Sequence, residues 1–322
     1  MNTLKYGVAR RWALLVTTLC LVPVLAAAQG GRGNQSANLQ QASQAMRAGR
    51  TAEALAAVRE ELKANPTSTQ AASMLDTLGA TADARAVFQK IIDAAPDPAA
   101  RAAAQRAMAM SYAFDGDCAN TVKYEQMVIA YHVTREASAP QDAFYQQGEM
   151  ANEAARVCID HGQLDVAEKW YRTGSELGLK EPGNQTHPKS LWDFRLTHAL
   201  GRLAARRGNA AEAKKHVDAA RKILDGDPAM AGQQERFFPY LVGYVALYTN
   251  DLKTAEAELT RALAIQGNDS DPFMHTLLGM TYEKLGQADK AKAEFQRGYD
   301  LSTAHNPPAA FSRPFTKKKL GL

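Results

Sequence analysis

Small and apolar residues recur along the chain at fixed distances from short turns, a pattern that predicts paired helices. In the clearest copy, Gly286 marks the turn and Gly279 lies seven residues before it. Ala291 and Phe295 follow the turn by five and nine residues. Ala, Leu, Glu, Lys, Gln and Arg, all strong helix formers, dominate the chain between these positions. No segment alternates with period two between β-branched residues. The pattern therefore predicts an all-α protein.

The same frame fits six further turns. A turn residue needs a left-handed backbone, which glycine adopts freely and asparagine tolerates. The small residues before and after the turn let the two helices approach closely where they cross. We expect the residue nine positions after the turn to face the next hairpin. The seven turn residues are Gly49, Gly79, Gly116, Gly162, Gly208, Asn250 and Gly286.

In these residues the chain resembles the tetratricopeptide repeat, from about Asn38 to Leu301. The resemblance implies a right-handed superhelical solenoid of antiparallel helix hairpins, with about seven irregular repeats. Successive turns are 30 to 46 residues apart, whereas the repeat has about 34 residues. The copy around Gly116 is degraded. We expect the superhelix to be less regular than the family norm.

Changes in composition divide the chain into six expected segments. The proline- and glycine-rich stretch before Ser190 predicts a loop that joins two sub-arrays. The tail that follows the last helix of the array could cover the convex face, cap the array or stay mobile. The ends of a solenoid need a cover for their apolar surface. The segments are a signal peptide (1–28), a flexible lead-in (29–36), an N-terminal array (37–178), a loop (179–190), a C-terminal array (191–303) and a proline-containing basic tail (304–322).

The first 28 residues have the features of a signal peptide. Three basic residues precede an apolar run at residues 12–24, and small residues follow at Ala26, Ala27 and Ala28. The run is too short for a comfortable membrane span of about 20 residues. We expect cleavage between Ala28 and Gln29, export to the periplasm of a bacterium or beyond it, and no stable membrane insertion afterwards.

Removal of this segment changes the charge of the chain. The whole chain has 38 Lys and Arg against 34 Asp and Glu, whereas residues 29–322 have 35 against 34. Four of those bases lie in the last ten residues, which leaves a slightly acidic body. This balance gives no reason to expect a nucleic-acid partner. The basic tail could contact a membrane surface or an acidic protein, but we expect it to be solvated.

Two cysteines remain after cleavage, and the repeat frame brings them together. Cys118 opens the second helix of the third hairpin, and Cys158 lies in the first helix of the fourth. Neighbouring helices of an exported protein can be joined by a disulfide. The alternative is two buried free thiols.

Catalytic and metal-binding motifs are lacking. The sequence has no HExxH, GxSxG, phosphate loop or dinucleotide-binding glycine pattern. Cys158 and His161 are three residues apart and could share a metal, but packing beside the turn is the simpler interpretation. We predict no catalytic residue, no metal site and no cofactor.

The resemblance implies that the first helix of each hairpin lines a concave groove. It places a basic stripe and then an aromatic stripe along hairpins four to seven. Arginines can bind carboxylates or phosphates in a forked geometry, and tyrosines offer rigid contact area. The predicted partner-binding residues are Asn152, Arg156, Arg195, His198, Arg202, Arg206, Phe237, Tyr240, Tyr244, Tyr248, Phe273 and Met280. We call these the twelve groove residues.

The groove predicts a non-catalytic scaffold that holds a protein or peptide with an acidic end and an apolar stretch. Three alternatives stay open. The aromatic residues could pack inside the array while the arginines pair with Glu149 and Glu153. The tyrosines could be sugar platforms of a carbohydrate- or cell-wall-binding module. A cryptic periplasmic enzyme would need a pocket with perturbed titratable groups.

Overall fold

The computed structural model describes residues 36–183 and 186–322, and within them the protein is all helical. The predicted signal peptide, its cleavage site at Ala28 and Gln29, and nearly all of the lead-in lie outside the described residues. Residues 37–322 form one compact unit. The α-helices are α1 (Ala37–Arg47), α2 (Thr51–Ala64), α3 (Thr69–Leu78), α4 (Thr81–Asp93), α5 (Pro98–Phe114), α6 (Cys118–Val133), α7 (Pro140–Asp160), α8 (Leu164–Gly178), α9 (Lys189–Arg206), α10 (Ala210–Gly226), α11 (Pro228–Gln234), α12 (Phe238–Tyr248), α13 (Leu252–Leu263), α14 (Pro272–Lys284), α15 (Ala288–Leu301) and α16 (Pro307–Leu320).

Seven antiparallel pairs of these helices pack in chain order, which confirms the predicted solenoid of hairpins. The pairs are α1–α2, α3–α4, α5–α6, α7–α8, α9–α10, α12–α13 and α14–α15. All seven predicted turn residues have positive φ. Among the described residues, Asn250 is the only non-glycine with such an angle, at φ 65°. The local pattern therefore located every hairpin turn.

Helix starts follow from local chemistry at the loops. Asp97 caps α5 by accepting a hydrogen bond from the backbone N–H of Ala100, and Pro98 begins the helix. Asp271 does the same for α14, ahead of Pro272. A proline in the first turn loses no helical hydrogen bond, and the cap satisfies an otherwise free N–H.

The residue nine positions after the turn does not always face the next hairpin. A Cβ added to Gly279 would meet the Phe295 ring at 2.6 Å, and one added to Gly243 would meet Leu259 at 2.7 Å. In these two hairpins the large side chain therefore fills the space left by its own hairpin's glycine. Tyr171 follows the expected arrangement, since it reaches Arg202 of the next hairpin.

The predicted loop between the sub-arrays connects α8 and α9, which pack directly against each other. Glu181 is buried and accepts hydrogen bonds from the Thr186 N–H at 2.6 Å and from His187. The His187 ring stacks on Tyr145 of α7 at 3.8 Å between centroids. These contacts tie the connection to α7.

The prediction of a solvated C-terminal tail is wrong, because much of the tail is buried against the array. Residues 307–320 form α16, which packs against α5, α7 and α14, the first helices of three hairpins, and against α15. Near its start, His305 contacts Asp76 of α3 at 2.8 Å, and further along Arg313 donates to the Thr77 carbonyl at 2.6 Å. The tail therefore lies on the face formed by the first helices, which we call the inner face.

The two cysteines are joined by a disulfide, with their Cα atoms 4.9 Å apart. Cys118 is the first residue of α6 and Cys158 is near the end of α7, as the repeat frame had placed them. The bond links the third hairpin to the fourth.

In the part of the chain that the structure describes, no helix is long and apolar enough to span a membrane.

We predict that the disulfide stabilises the array. Replacement of both Cys118 and Cys158 by Ala should lower the free energy of unfolding by about 2–4 kcal/mol, because the cross-link restricts the unfolded chain. Urea denaturation of the variant and the parent, both unreduced, measures this loss. Thiol titration of the denatured, unreduced parent should find no thiol from this pair; two reactive thiols would contradict the bond.

Candidate functional site

A cavity of about 330 Å³ opens on the inner face between α7, α9 and the start of α12. Seven of the twelve groove residues line it, at three- and four-residue steps that place them on one face of their helices. We call it the arginine cavity. Its lining is Glu149, Asn152, Arg156, Tyr171, Phe194, Arg195, His198, Arg202, Gln234, Phe237 and Tyr240.

Arg202 is held by two phenols at the base of this cavity. Its terminal nitrogens donate to the hydroxyl oxygens of Tyr171 at 2.8 Å and Tyr240 at 3.1 Å. The side chain is only 6% exposed, and its buried Nε has no hydrogen-bond partner among the described residues. Both acceptors are neutral phenols, and no carboxylate of the described residues is hydrogen-bonded to this buried guanidinium.

Arg156 has even fewer partners. Its guanidinium carbon lies 4.9 Å from the centroid of the Phe273 ring. Its Nε is buried, and among the described residues the side chain has neither a hydrogen bond nor an ion pair. A guanidinium offers five N–H donors. At Arg156 none of these donors has an acceptor among the described residues.

Arg195 differs from these two because it forms an ion pair with Glu149 of α7. It also lies beside the rings of Tyr145 and Trp192, at 5.6 and 5.1 Å from their centroids. Glu153 pairs with Arg106 of α5. The alternative of arginines paired with nearby glutamates thus describes Arg195, but not Arg156 or Arg202.

Burial determines the charge of the other titratable groups here. Burial, with a smaller contribution from Arg202, lowers the pKa of His198 well below its usual value, so the imidazole is neutral at pH 7. Burial raises the pKa of Asp160 to about 6, although Arg156, Arg202 and Arg206 act against this rise. The surroundings of the cavity therefore carry more positive than negative charge.

The other five groove residues do not line the cavity. Arg206 donates to the Tyr244 hydroxyl at 3.4 Å and lies 4.8 Å from the Tyr248 ring centroid. Tyr244 has no exposed surface. Phe273, only 1% exposed, packs on Phe311 of α16 with ring centroids 5.1 Å apart. Met280 belongs to the same apolar cluster. In this half of the predicted groove, side chains pack on each other and on α16.

Sequence reasoning did not select several lining residues. Tyr171 comes from a second helix, and its position nine residues after Gly162 was the available signal. Gln234 comes from the end of α11, which belongs to none of the seven hairpins. Phe194 is buried, precedes Arg195 in helix α9 and lines the cavity with it. Only the packed helices bring these side chains to the arginine cavity.

A larger cavity of about 670 Å³ lies between the first two hairpins and the C-terminal segment. Its serines are already engaged, since Ser43 donates to the Leu39 carbonyl and Ser73 to that of Thr69.

Among residues 36–183 and 186–322, no group of three or more His, Cys, Asp or Glu side chains is arranged to hold a metal ion. The arginine cavity therefore combines the most unsatisfied polar groups with open space.

A known protein family matches one helix pair of this chain. Residues 274–305, which contain nearly all of α14 and α15, match the family model described as tetratricopeptide repeat. No curated protein matches the chain.

Two solved structures are similar over most of the chain. A tetratricopeptide repeat protein from Parabacteroides merdae is 12% identical over 88% of this chain and 96% of its own, with a TM-score of 0.40. The hetero-tetramer of Cut9 and Hcn1 from APC/C contains a chain that is 20% identical over 83% of this chain and 46% of its own, with a TM-score of 0.37. The match at residues 274–305 thus identifies a tetratricopeptide repeat in this chain, and six further packed helix hairpins precede it in the same array.

Proposed function

We propose that the protein is a non-catalytic scaffold of the bacterial envelope that holds a protein or peptide segment on its inner face. The observation that carries this proposal is the arginine cavity, where seven groove residues surround an open space beside α7, α9 and α12. The tetratricopeptide-repeat fold supports a role in protein interaction. Its first helices provide a curved surface for a partner.

The position of α16 limits where such a partner binds. It covers the inner face near α5, α7 and α14, and leaves the arginine cavity open. Phe237 and Gln234 form a half-exposed edge of this cavity. A partner would enter along this edge, with aromatic contact at Phe237 and polar contact deeper inside.

Two observations support export. The residues before Gln29 have the order of a signal peptide: basic, apolar, then small. The disulfide between Cys118 and Cys158 suits an oxidising compartment such as the periplasm. The proposed location is therefore the periplasm, or the outside of the cell.

The sugar-platform alternative needs exposed aromatic rings, since sugars stack on ring faces. Tyr240 is 5% exposed, and Tyr244 and Phe273 are more deeply buried. Phe237 alone of the aromatic stripe contributes a half-exposed ring to the open cavity. The aromatic stripe therefore favours a protein partner over a glycan.

The replacement Phe237→Ser should weaken partner binding about 10-fold or more, because a few aromatic anchors supply most of the energy of an interface. The partner is first captured from an envelope extract on the purified chain, and its Kd is then measured with the parent and the variant. Val166→Ser is the matched control, since Val166 is an exposed apolar residue on the outer helix α8. Equal binding by a folded Phe237→Ser variant would contradict the proposal.

A further inference from the structure

We propose that the arginine cavity binds an oxyanion group, a carboxylate or a phosphate, between Arg156 and Arg202. The inference rests on the proposed function, because it names the chemical group by which the ligand of that cavity is anchored. It requires that the cavity have too few hydrogen-bond acceptors and too little negative charge of its own. The anion then supplies the hydrogen bonds and the charge that the protein itself does not.

The charges around the cavity are out of balance. Glu149 matches Arg195 through an ion pair. Arg156, Arg202 and Arg206 have one buried carboxylate near them, Asp160, whose oxygens have no hydrogen-bond partner in the described part of the chain. Asp271 is already engaged, because its Oδ1 accepts hydrogen bonds from the first backbone N–H groups of α14. Arg202 is the buried member of these three arginines, and a buried charge without an ionised partner is costly.

The hydrogen-bond donors show the same deficit. Arg202 donates only to two phenol oxygens, and Arg156 has no acceptor among the described residues. Both guanidinium groups line this one cavity, where like charges repel each other. An oxyanion between them would accept hydrogen bonds from both and cancel this repulsion. Charge-assisted, forked bonds from arginine to carboxylate or phosphate are among the strongest in proteins.

The remaining walls indicate what the oxyanion is attached to. Phe194, Phe237 and Tyr240 line the cavity next to the arginines. A volume of about 330 Å³ is at the lower end for small-ligand sites. The ligand is therefore a compact group, with a flat or apolar body against the rings and its negative end at Arg156 and Arg202.

The test uses two anionic probes and one neutral probe on the purified chain. Benzoate and inorganic phosphate are titrated by calorimetry, and benzamide replaces the carboxylate of benzoate by a neutral amide. We expect benzoate to bind at least about 10-fold more tightly than benzamide, since charged hydrogen bonds are at issue. Tighter phosphate than benzoate binding would assign a phosphate group; the reverse would assign a carboxylate.

Variants then locate the bound anion. Arg156→Met should weaken anion binding about 10- to 100-fold, whereas Asp160→Asn should strengthen it by removing a competing negative charge. Arg207→Met is the matched control, because Arg207 pairs with Asp165 and Glu168 away from the cavity. In NMR spectra of the unsubstituted chain labelled with ¹⁵N-arginine, benzoate should shift the Nε–H signals of Arg156 and Arg202. This measurement does not depend on the folding of a variant.

Three results would overturn the inference. The first is that neither anion binds at about 10 mM, which is well above the sub-millimolar Kd expected of one charged anchor. The others are equal binding of benzamide and benzoate, and unchanged anion binding by folded Arg156→Met. Partner capture that depends on Phe237 would still support the proposed function in these cases. Anion binding without any captured partner would instead leave the inference standing and remove the scaffold role.

Discussion

Truncation after Asn306 should destabilise the whole chain. It removes α16, in which Ala309, Ala310 and Arg313 are buried. It also uncovers Phe114 and Phe273 on the inner face. Loss of two to three large buried contacts, at about 1.5–3 kcal/mol each, implies a loss on the order of 5 kcal/mol. The corresponding fall in Tm is about 10 °C or more.

Thermal unfolding followed by circular dichroism would measure this effect, and binding of a hydrophobic dye would report the uncovered inner face. Removal of only Gly321 and Leu322, which are exposed, is the matched control. Because α16 connects α3 and α5 to α14 and α15, hydrogen exchange should increase at both ends of the array. A truncated chain with the parent's Tm would show that α16 contributes no stability to the inner face.

The replacement Gly178→Ala should cost about 3 kcal/mol, although it adds a single methyl group. Trp192 is completely buried, and its ring occupies the place where a Cβ on Gly178 would be. This ring lies in a space between α7 and α8 that we call the Trp192 notch. A Cβ on Gly148 would also overlap the ring, and one on Gly174 would meet Asn152 and the Gly148 carbonyl oxygen. Overpacking of a filled core typically costs 1–3 kcal/mol, and the rigid indole leaves little room to relax.

Gly226→Ala is the matched control, because Gly226 is also the last residue of a second helix and has no atom within 4 Å of an added Cβ. This control should be neutral or slightly stabilising, as alanine favours helix over glycine. Trp192→Leu in the Gly178→Ala background should recover part of the loss, which would show direct coupling between the two positions. Equal stabilities of Gly178→Ala and Gly226→Ala in urea would contradict the claim that Trp192 leaves no room for a methyl group at Gly178.

Sequence reasoning succeeded where the structural requirement is local. A hairpin turn needs positive φ at one residue, and that need is visible as Gly or Asn at a fixed spacing. The placement of Cys118 and Cys158 on adjacent helices follows from the same counting. So does the cluster of Asn152, Arg156, Arg195 and Arg202, because residues three to four apart share a face of a helix.

It was less successful where partners are far apart along the chain. Tyr244 and Phe273 have the spacing of groove residues, yet they are buried, since neighbouring hairpins and Phe311 cover them. Spacing identifies the face of a helix but not what covers that face. The Trp192 notch is also hidden in the sequence, because its glycines come from two helices other than that of Trp192.

By itself, the sequence determined an all-helical array of seven hairpins and the position of each turn, because turn geometry and helix propensity depend on residues close together in the chain. Only the tertiary structure decided that the C-terminal helix lies on the inner face, through contacts such as Arg313 with Thr77, 236 residues apart. It also decided that Arg156 and Arg202 have no carboxylate bonded to them within residues 36–183 and 186–322, because the pairing of charges depends on side chains that several distant helices bring together.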